Sequence, residues 1–562
     1  MVVARSAGTI IALLLAACAA RHAAAQTRDP NDEMLREQRE RQREELLRQQ
    51  PARIDQQAPT APQAQGADVA PRDIAETGPV FLIHDIRAQG PALLGDAEFA
   101  RIAAPFKGQQ LGVARINALL GRINRALIDA GYTTSRAYVG GQNLAAGTLA
   151  VTIVAGRIEQ LLYNGQPVGG NAPGMTGVRR AMPMRQGDIL RLQDIEQAVD
   201  QINRLRRNTA QVQIRPGTQP GGSIVDFTNK PTDGAQYTVS ADHNGPSSTG
   251  RLRLQGGWEQ GNLLGLMESM SLGLSTAEDT NAVYGTFSLP LGYGTLSALA
   301  SYSEYQTPVG TVALVYGRSV NFTLSYGHLL ARNQTSKTAL DVSLSRRSSN
   351  RWINNVALTG QGLTVLRVGV NRLTRFQTKR GLGQWSVDAG VARGLSWLGA
   401  GRDGAGLPPE AARFQFTRLE VTGSLEQPLP ANLVWRSRLA GQWTRNPLYS
   451  SEQIFAGGVA SVRGFAESAL GGDRGGYWRN EWAYKGKAAC GATVACEPYL
   501  FLDGARLTTL SDHRSSNLVG TGAGVRLAYA KGYVDLGVGK PLRRPAGISG
   551  GWRVNMSASY QF

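Results

Sequence analysis

The chain has 562 residues, several times the roughly 100–200 of an ordinary domain, which excludes one small fold. Sixty Lys and Arg against 42 Asp and Glu give +18, yet only 18% of residues are charged; this falls below the ~25% of soluble domains and argues against a basic nucleic-acid binder. Glycine is abundant at 68 residues without a Gly-X-Y period, and proline is ordinary at 25, so collagen and wholesale disorder both fail.

Arg5, the apolar stretch Thr9–Ala20 and the small-residue site Ala23-Ala24-Ala25 before Gln26 read as a secretory signal over residues 1–25. Leu15-Ala16-Ala17-Cys18 also resembles a bacterial lipoprotein box, which would instead make a lipidated Cys18 the first mature residue. Beyond this segment no run of about 18 apolar residues occurs, so a membrane role requires a barrel. Residues 26–50 hold a polar helix, Asn31–Gln50, with Asp32/Arg36, Glu37/Arg41 and Glu44/Arg48 one turn apart. It has no apolar stripe to bury and belongs in water or in a polar channel. Residues 51–79, punctuated by Pro51, Pro59, Pro62, Pro71 and Pro79, form a linker long enough to cross a ~30 Å bilayer core.

Residues 80–155 predict a compact α+β unit. A strand at Val80–Arg87 is followed by a helix near Asp96–Ala104, then by a helix whose apolar residues Val113, Ile116, Leu120, Ile123 and Leu127 recur at helical spacing. Strands at Thr133–Val139 and Thr148–Ala155 complete it. Residues 156–230 repeat the order: a strand at Arg157–Tyr163, helices near Met175–Met182 and over Leu192–Leu205, and strands at Gln211–Arg215 and Ser223–Thr228.

From residue 235 to 562 the period changes to two. Tyr237, Val239 and Ala241 alternate with polar residues, as do Val320, Phe322, Leu324 and Tyr326, and the greasy face is opposed by a small, polar one, as around a wet lumen. About 326 residues at roughly 20 per strand and connection give some sixteen strands. The last strand carries Trp552, Val554, Met556, Tyr560 and Phe562 on one face, a hazard in water but an aromatic girdle in lipid. Arg251, Arg253, Arg367, Arg436, Arg438 and Arg553 read as solvated lining of the lumen. Cys490 and Cys496 are close enough to form one disulfide in an oxidising compartment. The histidines, at 22, 84, 243, 328 and 513, show no metal-ligand spacing; no catalytic residue, metal or cofactor is expected.

The most specific motif is Val462-Arg463-Gly464-Phe465, followed by Gly471-Gly472-Asp473, Arg479-Asn480-Glu481 and Phe501-Leu502-Asp503. With these motifs the chain resembles the outer-membrane transporters of two-partner secretion, which export filamentous haemagglutinins, haemolysins and related adhesins. The resemblance implies a mainly β fold: a sixteen-stranded antiparallel transmembrane β-barrel at 235–562, preceded by two periplasmic α+β polypeptide-transport-associated (POTRA) modules and an N-terminal plug helix. It places residues 462–465 at the tip of the sixth extracellular loop, folded into the lumen, with Asp503 as the partner of Arg463, and Arg479 and Glu481 as further network members. It further implies that an unfolded exoprotein, a large β-helical adhesin or haemolysin, is captured in the periplasm by the POTRA modules and passes outward without nucleotide. A groove of the first module around Leu119–Leu127 and Thr133–Val139 is the expected capture site. Outer-membrane lipids and the barrel-assembly machinery are the other expected partners, nucleic acid is not, and the transporter is expected to be a monomer. A barrel-assembly factor of the same superfamily and a passive porin are the competing readings.

Overall fold

The computed structural model describes residues 74–170, 174–231, 234–310, 312–466, 469–486 and 494–562. The signal segment with Cys18, the polar helix, most of the linker and Cys490 lie outside the described residues.

The first module begins on the end of the linker. Its long helix α2, Val113–Asp129, follows Gly112, which offers no side-chain cap. Glu76 takes that role: its carboxylate accepts from the backbone N–H of Gly112, Ala114 and Arg115 at 2.9, 3.0 and 2.8 Å, satisfying donors that a helix start leaves orphaned. Burial acts to raise the Glu76 pKa, but these three bonds outweigh it and hold the carboxyl below its usual range. The helix buries Leu119, Ile123 and Leu127 against Ile83, Leu149 and Val151, each worth roughly 1.5–3 kcal/mol. Val113, predicted on that face, is exposed; ten residues from Ile123 at about 100° each puts it well to one side. The predicted Val80–Arg87 strand is two strands. Phe81–Ile83 pairs with Gln109–Leu111, and Asp85–Gln89 runs parallel to Thr148–Val154. The break falls at His84, whose N–H turns to the Gly147 carbonyl. Helix α1 covers Asp96–Ala103, and the edge strand is shorter than predicted, Arg136–Tyr138.

In the second module the strands Arg157–Tyr163, Gly222–Thr228 and Gln211–Pro216 form one sheet, with helices α3 (Met175–Ala181) and α4 (Leu192–Asn203) packed on it. Its core of Ile158, Ile195, Ile202, Val225 and Phe227 also takes in Met267, from a barrel turn.

Sixteen long antiparallel strands run from Gln236–Asp242 to Arg553–Gln561, and these two pair to close the barrel. Tyr237 and Phe562 exchange backbone hydrogen bonds of 3.1 and 3.0 Å, and their rings stack 6.3 Å apart. Trp552, Tyr560 and Phe562 point outward and are at least half exposed, as are Val239, Leu254, Leu272 and Leu500. The turns after Arg253–Gly261, Thr280–Leu291 and Ala313–Arg332 meet the second module, so this end is the module side. The long connection 445–473 lies at the other end and carries its own ribbon, Ile454–Ala456 with Leu470–Gly472.

Helix α4 is clamped to the module-side rim. Gln201 donates to the carbonyls of Gly292 and Gly294 at 2.9 and 2.8 Å, and Gly292 N–H donates to the Arg180 carbonyl at 2.7 Å. Arg332, its side chain 3% exposed, pairs with Glu196 and Asp200 at 2.6 Å each, and Lys337 also pairs with Asp200. Burial pushes the Asp200 pKa up, but the Lys337 and Arg332 charges outweigh it and hold the carboxyl below its ordinary value. Asp194, bonded to the Tyr293 hydroxyl, is instead raised by burial.

Candidate functional site

The connection 445–473 folds back into the lumen and seats its tip on strands Arg474–Tyr484, Ala495–Thr508, Ser515–Tyr529 and Gly532–Arg543. Val462 and Phe465 are buried there with Leu507 and Leu518. Gly464 turns with φ +90, and a Cβ at that position would meet the Lys540 backbone at 3.0 Å. The floor beneath is bare. A Cβ on Gly520 would lie 2.0 Å from the Arg463 carbonyl oxygen, one on Gly522 2.0 Å from the Val538 carbonyl oxygen, and one on Gly539 2.9 Å from Gly464.

Period two sends Asp503 inward on its strand while Leu502 faces out. Phe501 shares the inward face with Asp503 and lies under the Arg463 guanidinium, 4.1 Å away. Arg463 and Asp503 form a two-point pair: Nε donates to Oδ2 at 2.8 Å and Nη2 to Oδ1 at 3.0 Å. The backbone N–H groups of Arg463 and Asn480 each donate to Asp503 at 3.1 Å. Arg463 Nη1 donates to Glu481 at 2.6 Å, and Nη2 to the Asn480 carbonyl at 3.2 Å. The Arg463 side chain is 5% and the Asp503 side chain 0% exposed, a degree of burial at which charges persist only when paired and hydrogen-bonded.

Glu481 joins this pair to a second layer. Arg526 grips it at 2.6 and 2.8 Å and also reaches Glu497 at 2.8 Å and Asp535 at 3.3 Å. Arg436 forks onto Glu497 at 2.6 and 2.9 Å, and Tyr499 lies beneath Arg526 at 4.2 Å and donates to Asp535 at 2.8 Å. Among the described residues Arg479 makes no ion pair; it donates to the Ala460 carbonyl at 3.2 Å and so holds the loop backbone. Asp473 ties the loop base, accepting from Leu448 and Leu510 N–H at 2.8 and 2.6 Å and from Gln453 at 3.1 Å.

Of the six arginines read as solvated lining, Arg253, Arg367 and Arg436 are ion-paired, and Arg418, not singled out from sequence, is paired as well. Arg253 bonds Asp242 at 3.0 Å; Arg367 is surrounded by Asp341, Asp388 and Glu420; Arg418 links Glu420 to Glu452 of the folded-in loop at 3.0 and 2.7 Å. A narrow lumen desolvates these arginines, so each recruits carboxylates from neighbouring strands. Arg526, Glu497, Asp535 and the glycine floor were not singled out from sequence; their signal is their inward parity within Gly520–Arg526, Ala495–Phe501 and Asp535–Gly539. Cys496 is disulfide-bonded, and its expected partner Cys490 lies outside the described residues.

Residues 221–527 match the family described as haemolysin secretion/activation protein ShlB/FhaC/HecB. Residues 81–156 match the ShlB-type POTRA domain and 157–216 a POTRA domain. The chain is 32% identical over 505 residues to the outer membrane transporter CdiB of Dickeya dadantii, covering 86% of this chain and 88% of that one. It is 28% identical to the hemolysin transporter protein ShlB of Serratia marcescens, covering 89% and 87%. The structure of CdiB from Escherichia coli superposes with a TM-score of 0.84 at 28% identity over 95% of this chain and 99% of that one. The two POTRA modules face the periplasm and the barrel lies in the outer membrane: the chain belongs to the ShlB/FhaC/HecB family of two-partner secretion transporters.

Proposed function

We propose that this transporter captures one large, unfolded β-helical exoprotein on its POTRA modules and passes it outward through the lumen as the Arg463 loop is displaced from its seat. The observation that carries the reading is the paired tip of that loop, an ordered element held inside the channel by polar contacts. Such contacts can be exchanged for others, beside the smaller apolar seat of Val462 and Phe465. Capture by strand addition fits the first module, with an amendment to its lining. Leu119, Ile123 and Leu127 face the core, so the accessible border is the edge strand Arg136–Tyr138, with Tyr138 exposed. There the Ala137 N–H is held by Asn124 Oδ1 at 2.7 Å, the bond an incoming strand would replace. The polar segment 31–50 fills the lumen at rest in this reading, the transporter acts as a monomer, and barrel-assembly machinery inserts it. Removing residues 80–155 tests the capture step: secretion is lost while the barrel still inserts, and persistent secretion would contradict it.

A further inference from the structure

The outward face is asymmetric in a way that export does not use. At the module-side rim its aromatics stack on one another, as Tyr237, Tyr560 and Phe562 do. At the far rim, where Trp352 also packs on Tyr316, they lie under cations as well: Arg318 over Trp352 at 5.1 Å, Lys540 over Trp552 at 5.6 Å, and both Arg445 and Arg474 over Trp443, at 5.6 and 5.4 Å.

The Trp443 site is the densest. Arg474 precedes Gly475 and Gly476 on the adjacent strand, and its Nε donates to the Thr444 carbonyl, which fixes the guanidinium beside the indole. Gly476 stands opposite Arg506 and Arg474 opposite Thr508, so Arg474 and Arg506 are diagonal cross-strand neighbours, within reach of one ligand group for side chains of this length. The paired glycines Gly441 and Gly476 leave a shallow bed below Trp443. Arg445 and Arg506 are exposed, and among the described residues no carboxylate lies within ion-pair distance of any of the three arginines. Leu419, directly across from Trp443, and Leu439 and Leu502 below it are exposed toward the bilayer.

We propose that Arg445, Arg474 and Arg506, framed by Trp443, bind the phosphate of a phosphorylated glycolipid in the outer leaflet. Three guanidinium groups side by side, with no carboxylate among them, repel one another until an anion sits in their midst. A phosphate accepts two-point hydrogen bonds from each planar fork, and stacking on tryptophan orders the forks in advance. Acyl chains then run down over Leu419, Leu439 and Leu502, which a free anion would leave uncovered. The placement at the far rim alone matches a lipid confined to one leaflet.

The test uses the full chain, purified in detergent and stripped of lipid, titrated with a bisphosphorylated glycolipid and with its dephosphorylated counterpart, bound copies being counted by native mass spectrometry. Wild type binds the phosphorylated form at least tenfold more tightly. R445Q/R474Q/R506Q loses that preference, while R372Q, an outward arginine of the opposite half, retains it. R506Q alone, at a side chain that makes no hydrogen bond or ion pair among the described residues, weakens binding about fivefold and serves if the triple variant fails to show the heat-modifiable mobility of a folded barrel. Equal affinity for the dephosphorylated lipid, or unchanged binding by the variants, overturns the proposal. Displacement of the lipid by inorganic phosphate at equal concentration would assign a free-anion site and overturn it too.

Discussion

Replacing Arg463 by alanine removes four side-chain hydrogen bonds at once, two to Asp503, one to Glu481 and one to the Asn480 carbonyl. Asp503 keeps its two backbone donors, and Glu481 keeps Arg526, so neither carboxylate is stranded completely. Breaking a buried pair costs about 3–5 kcal/mol; with these residual partners about 2–4 kcal/mol remains, a shift of roughly 30- to 1,000-fold in loop seating. The loop tip should therefore leave the glycine floor correspondingly more often than in the wild type. A Ser461→Cys reporter, 5% exposed when seated, reads this directly: a membrane-impermeant thiol reagent labels it slowly while Arg463 is present and quickly once Arg463→Ala is added. Exported cargo per inserted transporter should fall sharply in the same variant. Arg463→Lys should rescue little, since it supplies charge without the fork. The exchange Arg463→Asp with Asp503→Arg should fail, because it sets an aspartate against Glu481 and turns the Asn480 N–H toward a cation. Unchanged labelling together with wild-type secretion from Arg463→Ala would refute the reasoning.

Arg332→Ala should loosen the second POTRA module from the rim by about 2–3 kcal/mol, less than a fully buried pair because Lys337 still holds Asp200, read as faster amide exchange across Leu192–Asn203. Asp200 is depressed in the folded state, so its share of this docking is complete above its ordinary value of 3.8 and is lost as the pH falls below it; its contribution to the protection factors, exchange corrected for the intrinsic rate at each pH, should be the same at pH 7 and pH 5. Deleting residues 31–50 should raise ion conductance in planar bilayers, and unchanged conductance would reject a plug role for that segment. Peptide mapping without reduction should recover Cys496 joined to Cys490, and Cys496→Ser should cost at most roughly 2–3 kcal/mol, since the closed loop is small.

Much of this architecture was legible because periodicity reports burial directly: period two gave the barrel strands their faces, and helical spacing of apolar residues over Leu192–Leu205, such as Ile195, Val199 and Ile202, is the signal of helix α4. Arg463 and Asp503 were readable from motif spacing. Their surroundings were not, because Arg436, Glu497 and Arg526 come from three strands whose relative register is set only when the barrel closes. The clamp at Arg332 escaped for a related reason. It joins a rim residue to a helix more than 130 positions earlier, and nothing in a local pattern announces such a partner. Glu76 lay in what reads as linker; only the uncapped start at Gly112 hinted that a carboxylate was needed.

The bare floor beneath the loop ties distant parts of the gene together. Positions 520 and 539 accept no side chain while the tip is seated, position 522 is closed by the Val538 carbonyl of the next strand, and position 524 by the Tyr499 ring, 2.3 Å from where a Cβ would stand. Two adjacent strands thus lose their freedom to drift, although each glycine alone looks like the most replaceable residue in a barrel wall. At 520 and 539 a bulkier wall becomes admissible only with a shorter or differently shaped tip, so variants gained one position at a time should meet dead ends there. Recombination that exchanges the loop together with its two strands should pass.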